Sequence, residues 1–118
     1  MPEPKIFGRP LNNTSTTLAA LSALPILRAC IPRPDRSLNM TRAGNEEAYL
    51  GQERGASATV NCLHCRQKSG PFVGCVVVAN MFGGSCCNCH WNGMAARCSF
   101  RGSKSLPDLE YIGLLTAF

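Results

Sequence analysis

A chain of 118 residues is long enough for one domain and too short for two ordinary ones. Charged residues make up only 16% of the sequence, and the 11 glycines and 8 prolines indicate that much of it is turn or loop. The first apolar run, residues 18–27, is interrupted by Pro25 and is far too short to span a bilayer. These features argue against a multidomain or membrane protein, and the late, proline-broken run argues against a signal peptide.

The N-terminal residues contain few signals for regular structure. Residues 1–17 carry three prolines and no apolar run, so we expect them to be extended and disordered. Residues 16–24 predict a short helix, because a threonine precedes the run LAALSAL and Pro25 ends it. Residues 30–37 alternate proline with arginine and indicate a linker.

A second helical segment is predicted over residues 45–54. Asn45 would cap it, acidic residues occupy its first turn, Arg54 lies at its end and Gly55 stops it. We therefore predict that residues 1–54 form a largely flexible N-terminal region with short helices.

The rest of the chain divides into a cysteine-rich module, residues 55–104, and a C-terminal segment, residues 105–118. The module contains one strand-like run, the β-branched CVVVA at 75–79, followed by the turn-forming NMFGG. The C-terminal segment has a Ser105 cap and apolar residues at helical spacing. It predicts a short amphipathic helix that packs on the module or on a partner protein.

Six of the eight cysteines follow a repeated pattern, in which a Cys-x2-Cys pair precedes a single cysteine by a loop of nine or eight residues. A Cys-x2-Cys turn suits zinc, because both sulfurs can reach one tetrahedral ion at ~2.3 Å. In a reducing compartment, clustered cysteines bind metal more often than they pair. The pattern therefore predicts a zinc site made by Cys62, Cys65, Cys75, Cys86, Cys89 and Cys98.

The fold class that follows is a small zinc-stabilised, loop-rich domain with short helices and little sheet. A metal would substitute for the large apolar core that so short a chain lacks. The alternative is a secreted protein in which the same sulfurs form a disulfide knot. A thioredoxin-like redox motif is disfavoured, since neither Cys-x2-Cys pair lies between a strand and a helix.

The module resembles an uncharacterised fungal family of short cysteine-rich domains, over roughly residues 52–102. The shared motifs are Gly-Pro-Phe at 70–72, Cys-Val-Val at 75–77, Cys-x-Asn-Cys-His at 86–90 and Arg-Cys-Ser-Phe-Arg at 97–101. A Gly-Gly pair also precedes the second Cys-x2-Cys. Because this family has no settled activity, the resemblance does not imply a function.

The order of the six cysteines also distantly resembles the fungal binuclear zinc-cluster DNA-binding domain, which holds two zincs with six cysteines. That resemblance implies that Cys62 and Cys86 bridge both ions. Cys65 and Cys75 would complete one site, and Cys89 and Cys98 the other. The loop at 66–74 departs from that family, since it carries only two basic residues where the family has many DNA-contacting ones.

The net charge of +5 is unevenly distributed. Every acidic residue lies at or before Glu53 or at or after Asp108, so residues 54–107 are basic and free of acid. Such a block suits an anionic partner such as DNA or RNA. The other interpretation is that it offsets the negative charge of metal-bound thiolates. The candidate nucleic-acid contacts are Arg66, Lys68, Arg97, Arg101 and Lys104.

Other side chains of the module permit two interpretations. Phe72 and Phe100 are expected in a small core, whereas Trp91 suits a core or a stacking surface equally. His64 and His90 are expected on the surface or beside the metal ligands, and Cys87 is expected to be a spare thiol. Cys30 receives no role.

These features predict a zinc-binding, nucleic-acid-binding protein that resembles transcription regulators and resides in the nucleus or cytoplasm. The alternative is a structural zinc module that binds another protein through its C-terminal leucines and Trp91. An enzyme is not expected, nor is a small-molecule substrate. No acid lies near the cysteines to act as a base, and four thiolates leave zinc no open position.

Overall fold

The structure, a computed structural model, describes residues 4–102. Its helices are short apart from one. They are α1 (Thr16–Ser22), α2 (Ala43–Arg54), α3 (Leu63–Arg66), α4 (Cys87–His90) and α5 (Ser99–Gly102). The strands are β1 (Lys5–Ile6), β2 (Arg9–Pro10), β3 (Ala56–Ser57) and β4 (Val76–Val77). Single 3₁₀ turns cover Phe82–Gly84, Trp91–Gly93 and Ala95–Arg97.

Helix α1 confirms the helix predicted from residue 16 onward. The cap is the Ser15 hydroxyl and not the expected threonine, because Ser15 accepts a hydrogen bond from the Leu18 N–H at 3.0 Å. Leu18 and Leu21 are buried on one face, so this helix belongs to the core. It ends before Pro25, as proline requires.

Helix α2 is longer and more buried than the sequence indicates. It begins at Ala43, two residues before the predicted start, so Asn45 lies inside the helix and does not cap it. Asn45 is fully buried, and its side chain contacts the Asn39 carbonyl and Asn92. The wrong cap assignment follows from these distant partners, which hold Asn45 within the helix.

A buried carboxylate of α2 holds the segment that precedes α1. Glu46 is 1% exposed and accepts hydrogen bonds from the Asn12 N–H at 2.6 Å and from the Asn13 N–H at 3.1 Å. The Asn13 amide donates to it as well, at 2.9 Å. The flexibility predicted for the N-terminal half is thus not shown, since residues on both sides of the linker pack together.

Little sheet is present among residues 4–102, in agreement with the predicted fold class. Strand β1 pairs antiparallel with β2, and β3 pairs antiparallel with β4 in the register Ala56↔Val77 and Ser57↔Val76. Strand β4 covers only part of the predicted run at 75–79. The β3–β4 pair brings the end of α2 close to Cys75, whose carbonyl accepts the Ala58 N–H at 2.8 Å.

The buried side chains form an apolar cluster and a separate cluster of six cysteines. In the apolar cluster, Phe72 lies between Tyr49 and Trp91 in edge-to-face contacts, with ring centroids 6.2 and 5.4 Å away. Phe72 is fully buried, as predicted, and Trp91 is only 7% exposed. Trp91 is therefore mainly a core residue, and little of its ring is left to form the protein-contacting surface expected for the alternative function.

The predicted boundary between residues 54 and 55 coincides with close contacts across it. The Gln52 amide donates to the carbonyls of Val73 and Gly74 at 3.2 and 3.0 Å. The division into three segments stays a prediction, and the C-terminal helix predicted at 105–118 lies outside the described residues. Within residues 4–102, no helix has the length and apolar character needed to cross a membrane.

Two glycines of α2 provide a matched test of its packing. A Cβ at Gly51 would lie 2.6 Å from the Cys87 sulfur, whereas a Cβ at Gly44 meets nothing closer than 3.9 Å. We expect Gly51→Ala to lower the free energy of unfolding by about 1–3 kcal/mol through overpacking. Gly44→Ala should leave it unchanged or raise it by up to about 1 kcal/mol, because alanine favours helix. Urea unfolding of both variants measures the difference, and equal stabilities would contradict the packing of α2 on Cys87.

Candidate metal centre

The structure brings together the six cysteines that the spacing selects. All six are buried, with exposures between 0% and 8%. Their sulfurs form two groups of four in which the sulfurs lie within 4.8 Å of one another, and Cys62 and Cys86 belong to both groups. One group is Cys62, Cys65, Cys75 and Cys86, and the other is Cys62, Cys86, Cys89 and Cys98. Each group could hold a metal ion.

The first half of the centre is built around α3. Cys62 occupies the N-cap position, and its sulfur accepts a hydrogen bond from the Cys65 N–H at 3.4 Å. The Cys62 N–H in turn donates to the sulfur of Cys75 at 3.4 Å. One helical turn and the strand β4 region therefore place three sulfurs on one side of the centre.

The second half repeats this arrangement around α4. Cys86 is the N-cap residue, and its sulfur accepts from the Cys89 N–H at 3.4 Å. The Cys86 N–H donates to the sulfur of Cys98 at 3.5 Å. The two halves are equivalent in their hydrogen bonds, which is the structural counterpart of the repeated Cys-x2-Cys pattern.

The sulfur separations fit a tetrahedral thiolate site. Four sulfurs bound to one zinc at ~2.3 Å lie about 3.8 Å from one another. Cys62 is 3.8 Å from Cys86 and 3.7 Å from Cys89, and Cys65 is 3.7 Å from Cys86. A disulfide requires about 2.05 Å, and all eight cysteines are free thiols. These separations therefore suit a metal ion and are too long for disulfide bonds.

The thiols share their protons unequally. Hydrogen bonds from the thiols of Cys75, Cys86 and Cys89 hold the pKa of Cys65 far below its usual range. Hydrogen bonds from Cys86 and Cys89 likewise lower the pKa of Cys98. The pKa of Cys86 is raised, first because its proton is held by Cys65. Six buried thiols cannot all ionise together without a cation, since each thiolate penalises the next.

Asn88 fixes the loop that surrounds the first half. It is 2% exposed, and its Oδ1 accepts the Phe72 N–H at 2.9 Å. Its Nδ2 donates to the Ser69 carbonyl at 2.8 Å and to the Cys65 sulfur at 3.4 Å. This asparagine, which was not among the predicted site residues, connects α4, the Gly-Pro-Phe loop and a candidate metal ligand. Its position within the Cys-x-Asn-Cys motif is the sequence signal that could have identified it.

The two remaining cysteines lie outside both groups of four. Cys87 is fully buried in the apolar cluster, and burial raises its pKa to about 12. Cys30 is buried in the same cluster, and its pKa is also raised, first by burial and then by Glu53. Cys87 thus behaves as the spare thiol expected, with a packing role that its position beside Cys86 does not reveal.

Neither histidine belongs to a metal-binding group among the described residues. His90 Nε2 lies 2.9 Å from Glu47 Oε1, and its ring stacks on Phe82 at a centroid distance of 3.9 Å. His64 Nδ1 is buried without a hydrogen-bond partner.

The candidate nucleic-acid contacts differ in their exposure. Arg66, Lys68 and Arg97 are exposed, and the Nε of Arg66 donates to the Asn61 carbonyl at 2.8 Å. Arg101 is partly buried, with its guanidinium close to Gly83. Lys104 lies outside the described residues.

The acidic residues are largely withdrawn from the surface, which the sequence did not reveal. Glu46 is engaged by Asn12 and Asn13, and Glu47 by His90. Glu53 pairs with Arg54 at 2.6 Å, and the side chains of this pair are 13% and 5% exposed. Within residues 4–102, Asp35 is the one fully exposed acid.

One protein-family model matches part of the sequence. Residues 48–101, slightly less than half of the chain, match the model of a family described as a protein of unknown function, DUF3716. No curated protein and no solved structure matches the chain significantly. The match covers nearly the same residues as the predicted resemblance to an uncharacterised cysteine-rich family. It shows no link to the binuclear zinc-cluster domain or to fungi.

Asn88→Asp tests whether the buried amide organises the centre. The substitution keeps the shape of the side chain but replaces the Nδ2 donor with a carboxylate facing the Ser69 carbonyl and the Cys65 sulfur. We expect a loss of about 3–5 kcal/mol in the free energy of unfolding, because a buried charge would face two acceptors and keep only the Phe72 N–H as a donor. The control is Gln67→Glu, which adds the same charge at an exposed position and should cost less than about 0.5 kcal/mol. Denaturant unfolding measures both, and a stable Asn88→Asp variant would show that the amide is dispensable.

Proposed function

We propose that the protein is a zinc-binding domain that binds nucleic acid through the basic surface around its cysteine centre. The observation that carries the zinc assignment is the pair of four-sulfur groups sharing Cys62 and Cys86. Thiolates favour soft or borderline ions, and zinc is the usual structural occupant of such tetrahedral sets. Bound zinc would supply the positive charge that lets the buried thiols ionise.

A structural role for the metal, and not a catalytic one, follows from the donor set. Each group already offers four sulfurs, so an ion held there keeps no position open for water or substrate. The proposal therefore includes neither an enzyme activity nor a small-molecule substrate. A nuclear or cytoplasmic location belongs to the same proposal, because a reducing compartment preserves the thiols.

The nucleic-acid part of the proposal is supported by the charge on the surface. Two zinc ions and six thiolates would carry a net −2, so the acid-free segment would keep about +4 of its formal +6. Arg66, Lys68 and Arg97 are exposed, while three of the four acids within residues 4–102 are paired or buried. An exposed surface with this imbalance attracts polyanions.

A protein partner remains the second candidate, but the structure favours it less. Trp91 was its expected contact residue, and it is buried against Phe72. The other expected contacts belong to the segment 105–118, which lies outside the described residues.

The metal content tests the zinc assignment. We expect two zinc ions per folded chain, as measured by elemental analysis, and a loss of one ion on replacing a ligand that belongs to a single group. Cys75→Ala and Cys98→Ala are these variants, since each empties one corner of one group. Cys87→Ala is the matched control and should retain two ions, because Cys87 lies in the apolar cluster. Folded, metal-free protein with paired sulfurs would overturn the assignment.

Salt-dependent binding tests the nucleic-acid assignment. We expect the zinc-loaded chain to bind labelled DNA or RNA with an affinity that falls steeply as salt is added, through counterion release. Charge reversal at Arg66 and Lys68 should weaken binding and reduce the slope of log K against log salt by roughly 0.7–0.9 for each lost phosphate contact. Fluorescence anisotropy measures both quantities.

The control variant for this experiment is Lys5→Glu, which reverses an exposed charge on strand β1, outside the acid-free segment. It should leave the salt dependence nearly unchanged. The absence of any salt-sensitive binding would reject the nucleic-acid function while leaving the zinc assignment in place.

A further inference from the structure

A cavity of about 230 Å³ lies beside the cysteine centre, between the linker and the module. Three separate parts of the chain form its walls: the linker at Arg36, the loop that ends at Pro71, and the stretch from Asn88 to Arg97. Helix α4 and the Gly-Pro-Phe loop are fixed to each other there by the Asn88 hydrogen bonds. Two walls of the cavity are therefore held together by hydrogen bonds.

The side chains that line the cavity combine positive charge with an aromatic wall. Arg36 and Arg97 are both exposed at its edge, and none of the described lining residues carries a carboxylate. Arg36 approaches Asp35 only at 4.0 Å in an exposed pair, a contact that holds it weakly. Trp91 and Met94 supply apolar surface, and Asn92 supplies an amide.

A second feature of the wall is an unsatisfied polar atom. His64 lines the cavity, and its Nδ1 is buried without a hydrogen-bond partner. Buried polar nitrogens usually have a partner, and a ligand in the cavity could supply one to this side chain. Cationic groups, an aromatic wall and an unsatisfied nitrogen together fit a ligand that is both anionic and a flat heterocycle.

The size of the cavity limits that ligand to a single unit. Drug-sized ligands occupy cavities of roughly 300–1,000 Å³, and this cavity is smaller. One nucleobase with its adjoining phosphate is compatible with it, whereas a base pair is not.

We propose that the cavity binds one unstacked nucleotide, with its base against Trp91 and its phosphates at Arg36 and Arg97. This inference rests on the proposed nucleic-acid function and specifies it, since a base is accessible to such a cavity only in single-stranded nucleic acid or as a free nucleotide. It adds Arg36, which lies outside the acid-free segment, to the contact residues. It also gives the buried Trp91 a place in ligand binding through the wall of the cavity.

The fluorescence of Trp91, the chain's single tryptophan, reports directly on this cavity. The zinc-loaded full chain is titrated with free thymidine monophosphate, an oligothymidylate, an abasic oligonucleotide of the same length, and inorganic phosphate. We expect the two ligands that carry bases to change the Trp91 emission, and the abasic strand and phosphate to leave it unchanged. Anisotropy of labelled strands measures binding independently of the tryptophan.

Variants at the edge of the cavity connect the signal to the site. Arg36→Ala should weaken the monophosphate by about tenfold, the loss expected for one charge-assisted contact. Arg9→Ala removes an exposed arginine from strand β2 and should have no effect. Circular dichroism and the zinc content establish that both variants remain folded.

Each outcome decides between the proposals. Strand binding with no change in Trp91 emission, and with equal affinity for the abasic strand, overturns the nucleotide cavity and leaves the nucleic-acid function intact. A signal from thymidine monophosphate without binding of any strand supports the cavity and rejects the broader function. Phosphate that matches the monophosphate in affinity reduces the site to an anion site and overturns the proposal, as does the absence of every signal.

Discussion

The fold of the module depends on six buried sulfurs that must share one small volume. Cys62 and Cys86 belong to both groups of four, so neither group can form unless both helical turns are in place. Their sulfurs also cap those turns by accepting the N–H groups of Cys65 and Cys89. The N–H to sulfur hydrogen bonds that begin these two helical turns therefore also hold the candidate ligand sulfurs in place. Because thiolates so close together repel one another, a cation is what allows the arrangement to ionise and persist.

Helix α4 joins this centre to the apolar core within four residues. Cys86, at its cap, and Cys89 face the cysteine cluster, while Cys87 between them is buried in the apolar cluster against α2. The Asn88 side chain reaches the Gly-Pro-Phe loop and positions Phe72 by accepting a hydrogen bond from the Phe72 backbone N–H. The apolar side of the module is then covered by α2, whose Tyr49 contacts Phe72. Metal binding alone would leave that side exposed, and this gives the N-terminal half a structural role.

The parts of this fold that the sequence predicts are those set by local spacing. The two Cys-x2-Cys pairs identified four of the six candidate ligands, because one helical turn brings residues three apart together, and the single cysteine after each pair supplied the other two. Helix α1 was likewise predicted from local signals, although Ser15 caps it in place of the expected threonine. The burial of α2 was not predicted, because Asn45 and Glu46 find partners that are 33–47 residues away. Polar side chains are usually exposed, so their burial cannot be predicted from the sequence unless their distant partners are known. The burial of Trp91 depends in the same way on Phe72, from which it is separated along the chain by β4, a 3₁₀ turn and α4.

The hydrogen bonds to sulfur bear on the two interpretations of the basic segment. If its arginines served to neutralise the thiolates, guanidinium groups should contact the sulfurs. The sulfurs instead accept from backbone N–H groups and from the Asn88 amide, which are neutral donors. The Nε of Arg66 donates to a backbone carbonyl, and Arg97 is exposed at the edge of the cavity. Within residues 4–102 these donors to sulfur are thus neutral, which is compatible with arginine charge that remains available to an external anion.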